Sequence, residues 1–140
     1  MITIHSKPEE LNAINKNALM EQLGIEYTEL KEGFVSGKMP VDRRTKQPMG
    51  ILHGGASLAF AETLASLGSL ALVDPLKFEI RGASLTANHV GAATKGWVIG
   101  EATLIHKGKM THVWDIVIKD ESEVKVSVAR MTVMIIPKDK

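Results

Sequence analysis

Cysteine is absent from the 140 residues of this chain. That excludes disulfides, thiolate metal sites and cysteine nucleophiles, and it suits a reducing compartment. Charge of one sign is lacking as well. Lys and Arg number 17 against 16 Asp and Glu, a formal net charge of +1. Nothing in that balance points to nucleic acid or an anionic membrane as a partner. Aromatic residues are few: Tyr27, Phe34, Phe60, Phe78, Trp97 and Trp114. Met1–Glu10 has no basic segment followed by an apolar one and does not read as a signal peptide. No unbroken apolar run approaches the roughly 20 residues of a membrane span. Ala56–Val73 comes nearest, but Glu62 and four hydroxyl residues interrupt it, so it reads as a buried helix of a soluble domain. There is no H-E-x-x-H, no glycine-rich phosphate loop and no Ser, His and Asp in a familiar triad order. No metal and no cofactor are expected.

What is present is enough for one domain spanning residues 1–140, with 44% apolar and 24% charged residues. Ser6-Lys7-Pro8-Glu9 reads as a capping box opening a helix from Pro8 to Glu21, which ends before Gly24. Ile25–Leu30 and Phe34–Met39 read as strands joined by Lys31-Glu32-Gly33. Pro40–Gly50, charged and proline-containing, reads as a loop. The long apolar helix follows and ends near Val73-Asp74-Pro75. Four strands come next: Glu79–Val90, with Gly82 a bulge position, then Trp97–His106, Met110–Lys119 and Glu123–Ile136. Short polar turns between the last three imply an antiparallel meander. The class is α+β, with five or six antiparallel strands around one long central helix. That helix is apolar all round, so sheet must wrap it or a partner subunit must cover it.

The most informative stretch is Gln47-Pro48-Met49-Gly50-Ile51-Leu52-His53-Gly54-Gly55-Ala56, which leads into the long helix. Glu62 is the only charge on that helix. A carboxylate among apolar residues is costly unless it is paired or used, which makes Glu62 the first candidate for chemistry. The order and spacing of several segments resemble the hotdog-fold acyl-CoA thioesterases, above all the bacterial subgroup acting on aromatic thioesters: phenylacetate-operon, hydroxybenzoyl-CoA and 1,4-dihydroxy-2-naphthoyl-CoA thioesterases. The segments are Met39–Pro48, Leu52-His53-Gly54-Gly55-Ala56-Ser57, Ala61-Glu62, Ala87-Asn88-His89-Val90 and Val113-Trp114. The likeness runs from about residue 10 to 136.

The resemblance implies a sheet-wrapped helix, two subunits joined sheet edge to edge, dimers paired into a homotetramer, a cytoplasmic location and a substrate site between subunits. It makes Glu62 the nucleophile or general base, and the Gly54 backbone N–H the group that polarises the thioester carbonyl. Gln47 and His53 would position that carbonyl or the attacking water, with Ser66 near the leaving group or water. Gly82, the run His89-Val90-Gly91-Ala92 and the turn His106-Lys107-Gly108-Lys109-Met110-Thr111 would hold the CoA portion. Gly91-Ala92 and Lys109-Met110 depart from the residues common in relatives at those places.

Spacing adds an independent point. Eight helical residues separate Gly54 from Glu62, about 12 Å at 1.5 Å per residue. Both cannot reach one carbonyl group. Either one of them is not catalytic, or each site takes Gly54 from one subunit and Glu62 from another. Phe60 lies about 200° round the helix from Glu62 and cannot flank the same substrate from its own chain. Small and aliphatic groups such as Leu58, Thr63 and Ser66, with residues of a partner chain, should line the wall near Glu62. Such a lining suits a flat ring, and together with the resemblance it implies a preference for aryl-CoA over long-chain acyl-CoA thioesters. Two rival functions are a hotdog hydroxyacyl dehydratase and a non-catalytic acyl-CoA-binding module.

Overall fold

The computed structural model describes residues 1–139. The elements, in chain order, are α1 (Pro8–Ala13), α2 (Leu19–Leu23), β1 (Glu26–Lys31), β2 (Phe34–Pro40), α3 (Gly54–Leu70), β3 (Phe78–His89), β4 (Trp97–Lys107), β5 (Thr111–Asp120) and β6 (Lys125–Pro137). The six strands form one antiparallel sheet in the order β1-β2-β4-β5-β6-β3. The expected meander is β4-β5-β6. The expected bulge is present, as a register shift between Gly82 and Ser84. Strand β3 returns beside β6, so β1 and β3 are the sheet edges.

The expected helix from Pro8 to Glu21 is instead two short helices. Asn17 adopts a left-handed φ of 63°, which α-helical hydrogen bonding cannot cross. Asparagines are the reason for the break. The Asn12 amide accepts from the Tyr27 N–H and donates to the Tyr27 carbonyl, and the Asn15 amide donates to the Ile25 carbonyl. These side chains pair with the backbone around the start of β1 and hold the α1 region against it. The capping box does not form either. Lys7 is the N-cap, Pro8 opens the helix, and the Ser6 hydroxyl accepts from Thr3.

Helix α3 lies across one face of the sheet. Phe60, Ala61, Leu64 and Ala65 are buried under it. Gly37 of β2 and Gly100 of β4 are register partners. A Cβ at Gly37 would come within 2.9 Å of the Leu64 side chain, and one at Gly100 within 2.8 Å of the Phe60 ring. This glycine pair is the floor that lets α3 approach closely. Farther along, Trp114 of β5 packs on Gly68. Its indole N–H donates to the Ser69 hydroxyl, which also bonds His112 Nδ1 at 2.9 Å.

Candidate active site

The segment before α3 is held by backbone bonds. Val41 donates to Gly96, Leu52 to Ala93 and His53 to Thr45. The Thr45 hydroxyl donates to the Pro40 carbonyl at 2.6 Å. Gln47 closes a turn, accepting at its carbonyl from Gly50 and at its side-chain Oε1 from the Met49 N–H. His53 is the helix N-cap, and its Nδ1 accepts from the Gly55 N–H at 2.7 Å. That contact commits Nδ1 and leaves Nε2 for other work. Gly54 is the first helical residue, and its N–H has no acceptor among the described residues. A free N–H at a helix N-terminus is a donor aimed outward, with the helix dipole behind it. A Cβ at Gly54 would lie 2.7 Å from Nε2 of His89, so glycine is also what lets the His89 ring sit there. His89 is in turn tied through Nδ1 to the Ser127 hydroxyl at 2.6 Å.

Glu62 is not buried, contrary to the expectation from its apolar neighbours. It is exposed in the single chain, and the ion pairs among the described residues do not include it. The physical reason is helical phase. With Phe60, Ala61, Leu64 and Ala65 packed against the sheet, Glu62, Thr63 and Ser66 fall outside that buried stripe. They line a cleft of about 480 Å³ whose far wall is Ile14, Leu19 and Met20, with Tyr27 from β1 and Ile80 from β3. That far wall comes from the α1–α2 segment of the same chain. Leu58 is not part of the lining, and Tyr27 brings an aromatic ring that the sequence reading did not place there. Ser66, at i+4 from Glu62, shares the cleft as expected. Gly82 lies directly over the carboxylate. A Cβ there would be 3.1 Å from Glu62 Oε2 and 2.7 Å from the Met131 side chain. Gly82 therefore stands beside the candidate catalytic carboxylate.

Within one chain the candidate residues fall into two groups. Gly54, His89 and Ser127 meet where β3 ends and β6 begins, and Val90 and Gly91 follow, bonded to the Val126 carbonyl. Glu62 and Gly82 lie toward the other end of that strand pair, since Gly82 pairs with Val133 and His89 with Ser127. The turn Lys107–Met110 is at this second end too: Thr111 pairs with Met134, and Ile135 donates to the Met110 carbonyl. Six to seven strand residues separate the two ends, about 20 Å at 3.3 Å per residue. The chain thus brings Glu62 together with Ser66 and Gly82, and Gly54 together with His89, but not one group with the other. Tyr27, Ile80 and Ser127 are the lining and supporting residues that sequence reasoning missed. Tyr27 carried no signal beyond its position in a strand. No group of His, Asp and Glu suited to holding a metal occurs among the described residues, and no described helix is long and apolar enough to cross a membrane.

Comparison with known proteins extends this geometry. Residues 49–127, from before His53 to Ser127, match the model of the thioesterase superfamily. The chain is 40% identical to the proofreading thioesterase EntH of Cronobacter turicensis, over 91% of this chain and 93% of that protein. A variant of thioesterase PA1618 from Pseudomonas aeruginosa superposes with a TM-score of 0.93 at 37% identity, covering 96% of each chain. Thioesterase HI1161 from Haemophilus influenzae superposes at 0.90 and 36% identity, covering 98% of this chain and 96% of that one.

Proposed function

Because this chain belongs to the thioesterase superfamily of thioester hydrolases, we propose that it hydrolyses acyl-CoA thioesters with aromatic acyl groups, using Glu62 at a site completed by a second subunit. The observation that carries this reading is Glu62 itself: an unpaired carboxylate at the wall of an otherwise largely apolar cleft. In the reading, Glu62 takes a proton from a water molecule as that water attacks the thioester carbonyl carbon. The oxygen that becomes negative is held by the Gly54 N–H of the partner. When the tetrahedral intermediate collapses, the C–S bond breaks. The sulfur leaves with the proton that Glu62 received, and the acid product is released. Attack by the Glu62 carboxylate itself, through an anhydride that water then opens, uses the same residues. Gln47 and His53 Nε2 position the carbonyl or the water, and Ser66 lies beside the leaving group.

Support for an aromatic acyl group comes from the cleft. Its volume suits one or two rings, and Ile14, Leu19, Met20, Leu67 and Ile80 offer apolar contact with little directional demand. The loops His89–Ala92 and His106–Thr111 lie at opposite ends of one chain, so the reading has them meet across a subunit boundary to hold the CoA portion. A cytoplasmic homotetramer built from dimers belongs to the same reading. The deciding experiment is a panel of aryl- and alkyl-CoA thioesters followed by thiol release. We expect kcat/KM to be higher for benzoyl- and hydroxynaphthoyl-type thioesters than for palmitoyl-CoA. Preference for palmitoyl-CoA would overturn the aryl assignment and leave the hydrolase standing.

A further inference from the structure

Among the residues that line the cleft, three carry a polar side-chain group with no hydrogen-bond partner among the described residues. The Glu62 carboxylate and the Ser66 hydroxyl are on α3 and enter the chemistry above. The Thr63 hydroxyl is not among them, since it donates to the Ala59 carbonyl at 2.7 Å. The third is the Tyr27 hydroxyl. We propose that this hydroxyl is a specificity-determining group, which hydrogen-bonds a hydroxyl or carbonyl oxygen carried by the acyl group away from its thioester.

The ring of Tyr27 is firmly placed. Its backbone is clamped by Asn12 on both sides, and it pairs in register with Gly37, so its side chain is on the α3 side of the sheet. The residue is only 3% exposed. Yet its hydroxyl has no hydrogen-bond partner among the described residues. Nor is it sealed off, because among the described residues the one fully enclosed polar side-chain atom lacking a partner is Asn15 Oδ1. The residual opening is the cleft that Tyr27 lines. An unpaired phenol in such a place is costly, and phenylalanine would fill the same space without the cost. The side chains of Ile14, Leu19, Met20 and Ile80, which line the cleft with it, carry no acceptor for it. A polar atom on the occupant does. Burial pushes the phenol pKa up to about 12, so near neutral pH the group keeps its proton and donates it.

This inference rests on the acyl group occupying the cleft, and the test separates the two. The variant is Tyr27→Phe, assayed with benzoyl-CoA and with its 2-, 3- and 4-hydroxy derivatives. The net worth of one hydrogen bond predicts a loss of about 3- to 10-fold in kcat/KM for at least one hydroxylated substrate. Any loss on benzoyl-CoA should be clearly smaller than that on the hydroxylated substrate the phenol bonds, and the melting temperature should not fall, because no internal bond is removed. Equal losses on all four substrates would overturn the proposal and place Tyr27 with Glu62 or its water. Unchanged kinetics on all four would overturn it as well. If the wild type hydrolyses none of them, the aryl-CoA reading fails, and calorimetry with the free acids decides the question about Tyr27. Tighter binding of a hydroxybenzoate than of benzoate, lost in Tyr27→Phe, supports the role; equal binding by both proteins refutes it.

Discussion

At the scale of residues, Glu62 stands out in the amino-acid sequence because it is the only charge in an apolar helix. Its environment does not stand out, because burial depends on what faces the side chain. Helical phase keeps it off the buried stripe and in a cleft, where no cation among the described residues pairs with it. Removing it should therefore leave the fold intact. Glu62→Gln is expected to lower kcat by roughly 10²-fold or more, the scale of a lost general base, with an unchanged melting temperature. Near wild-type turnover in the purified variant would refute the assignment. His53 and Gly54 were legible from the glycine-rich approach to α3. The ring of His89 on Gly54, and Gly82 over Glu62, were not. Both contacts join positions tens of residues apart, and no local pattern records them.

At the scale of elements, periodicity located every strand to within a few residues and placed α3 two residues late at its start. It failed at the N-terminus. There Leu11, Ile14 and Ala18 keep helical spacing, but Asn12 and Asn15 spend their amides on the backbone around the start of β1. The tertiary pairing outweighs the helical propensity, and the interrupted segment becomes a wall of the cleft. The other end of α3 is tied down by His112 and Trp114, both bonded to Ser69. His112 is buried, and desolvation, with Lys107 and His106 nearby, lowers its pKa below the usual imidazole value. The unfolded chain therefore binds this proton more readily than the folded one. The stability that neutral His112 contributes is fully present above the unfolded pKa of about 6.5 and is lost as pH falls from there toward the lower folded value. We expect the melting temperature to drop between pH 7 and 5, and to drop less in His112→Gln. Equal slopes in the two proteins would show that other groups govern the acid limb.

At the scale of the whole molecule, the decisive fact is that the candidate groups lie at two ends of one chain. Gly54 and His89 are at one end, Glu62 and Gly82 at the other. Two copies related by a twofold axis can bring unlike ends together, twice. The prediction is one of complementation. Glu62→Gln and Gly54→Val, each inactive alone, should regain activity when mixed under conditions that exchange subunits, because each hybrid dimer would hold one intact site. No recovery despite demonstrated exchange, or full activity of a stable monomer, would exclude a shared site. The sequence by itself determined the α+β class, the run of strands, the glycine-rich entry to α3 and the carboxylate on it, since these rest on local periodicity, turn chemistry and one anomalous charge. It also predicted, through the fixed rise of a helix, that Gly54 and Glu62 cannot act on one carbonyl from the same chain. Only the tertiary structure decided that β3 returns beside β6, that Glu62 opens to a cleft, that α1 and α2 form its wall, and that Tyr27 brings an unpaired hydroxyl into it. Those features depend on which distant segments pack against one another, and that is settled by the summed burial and hydrogen bonding of the whole chain.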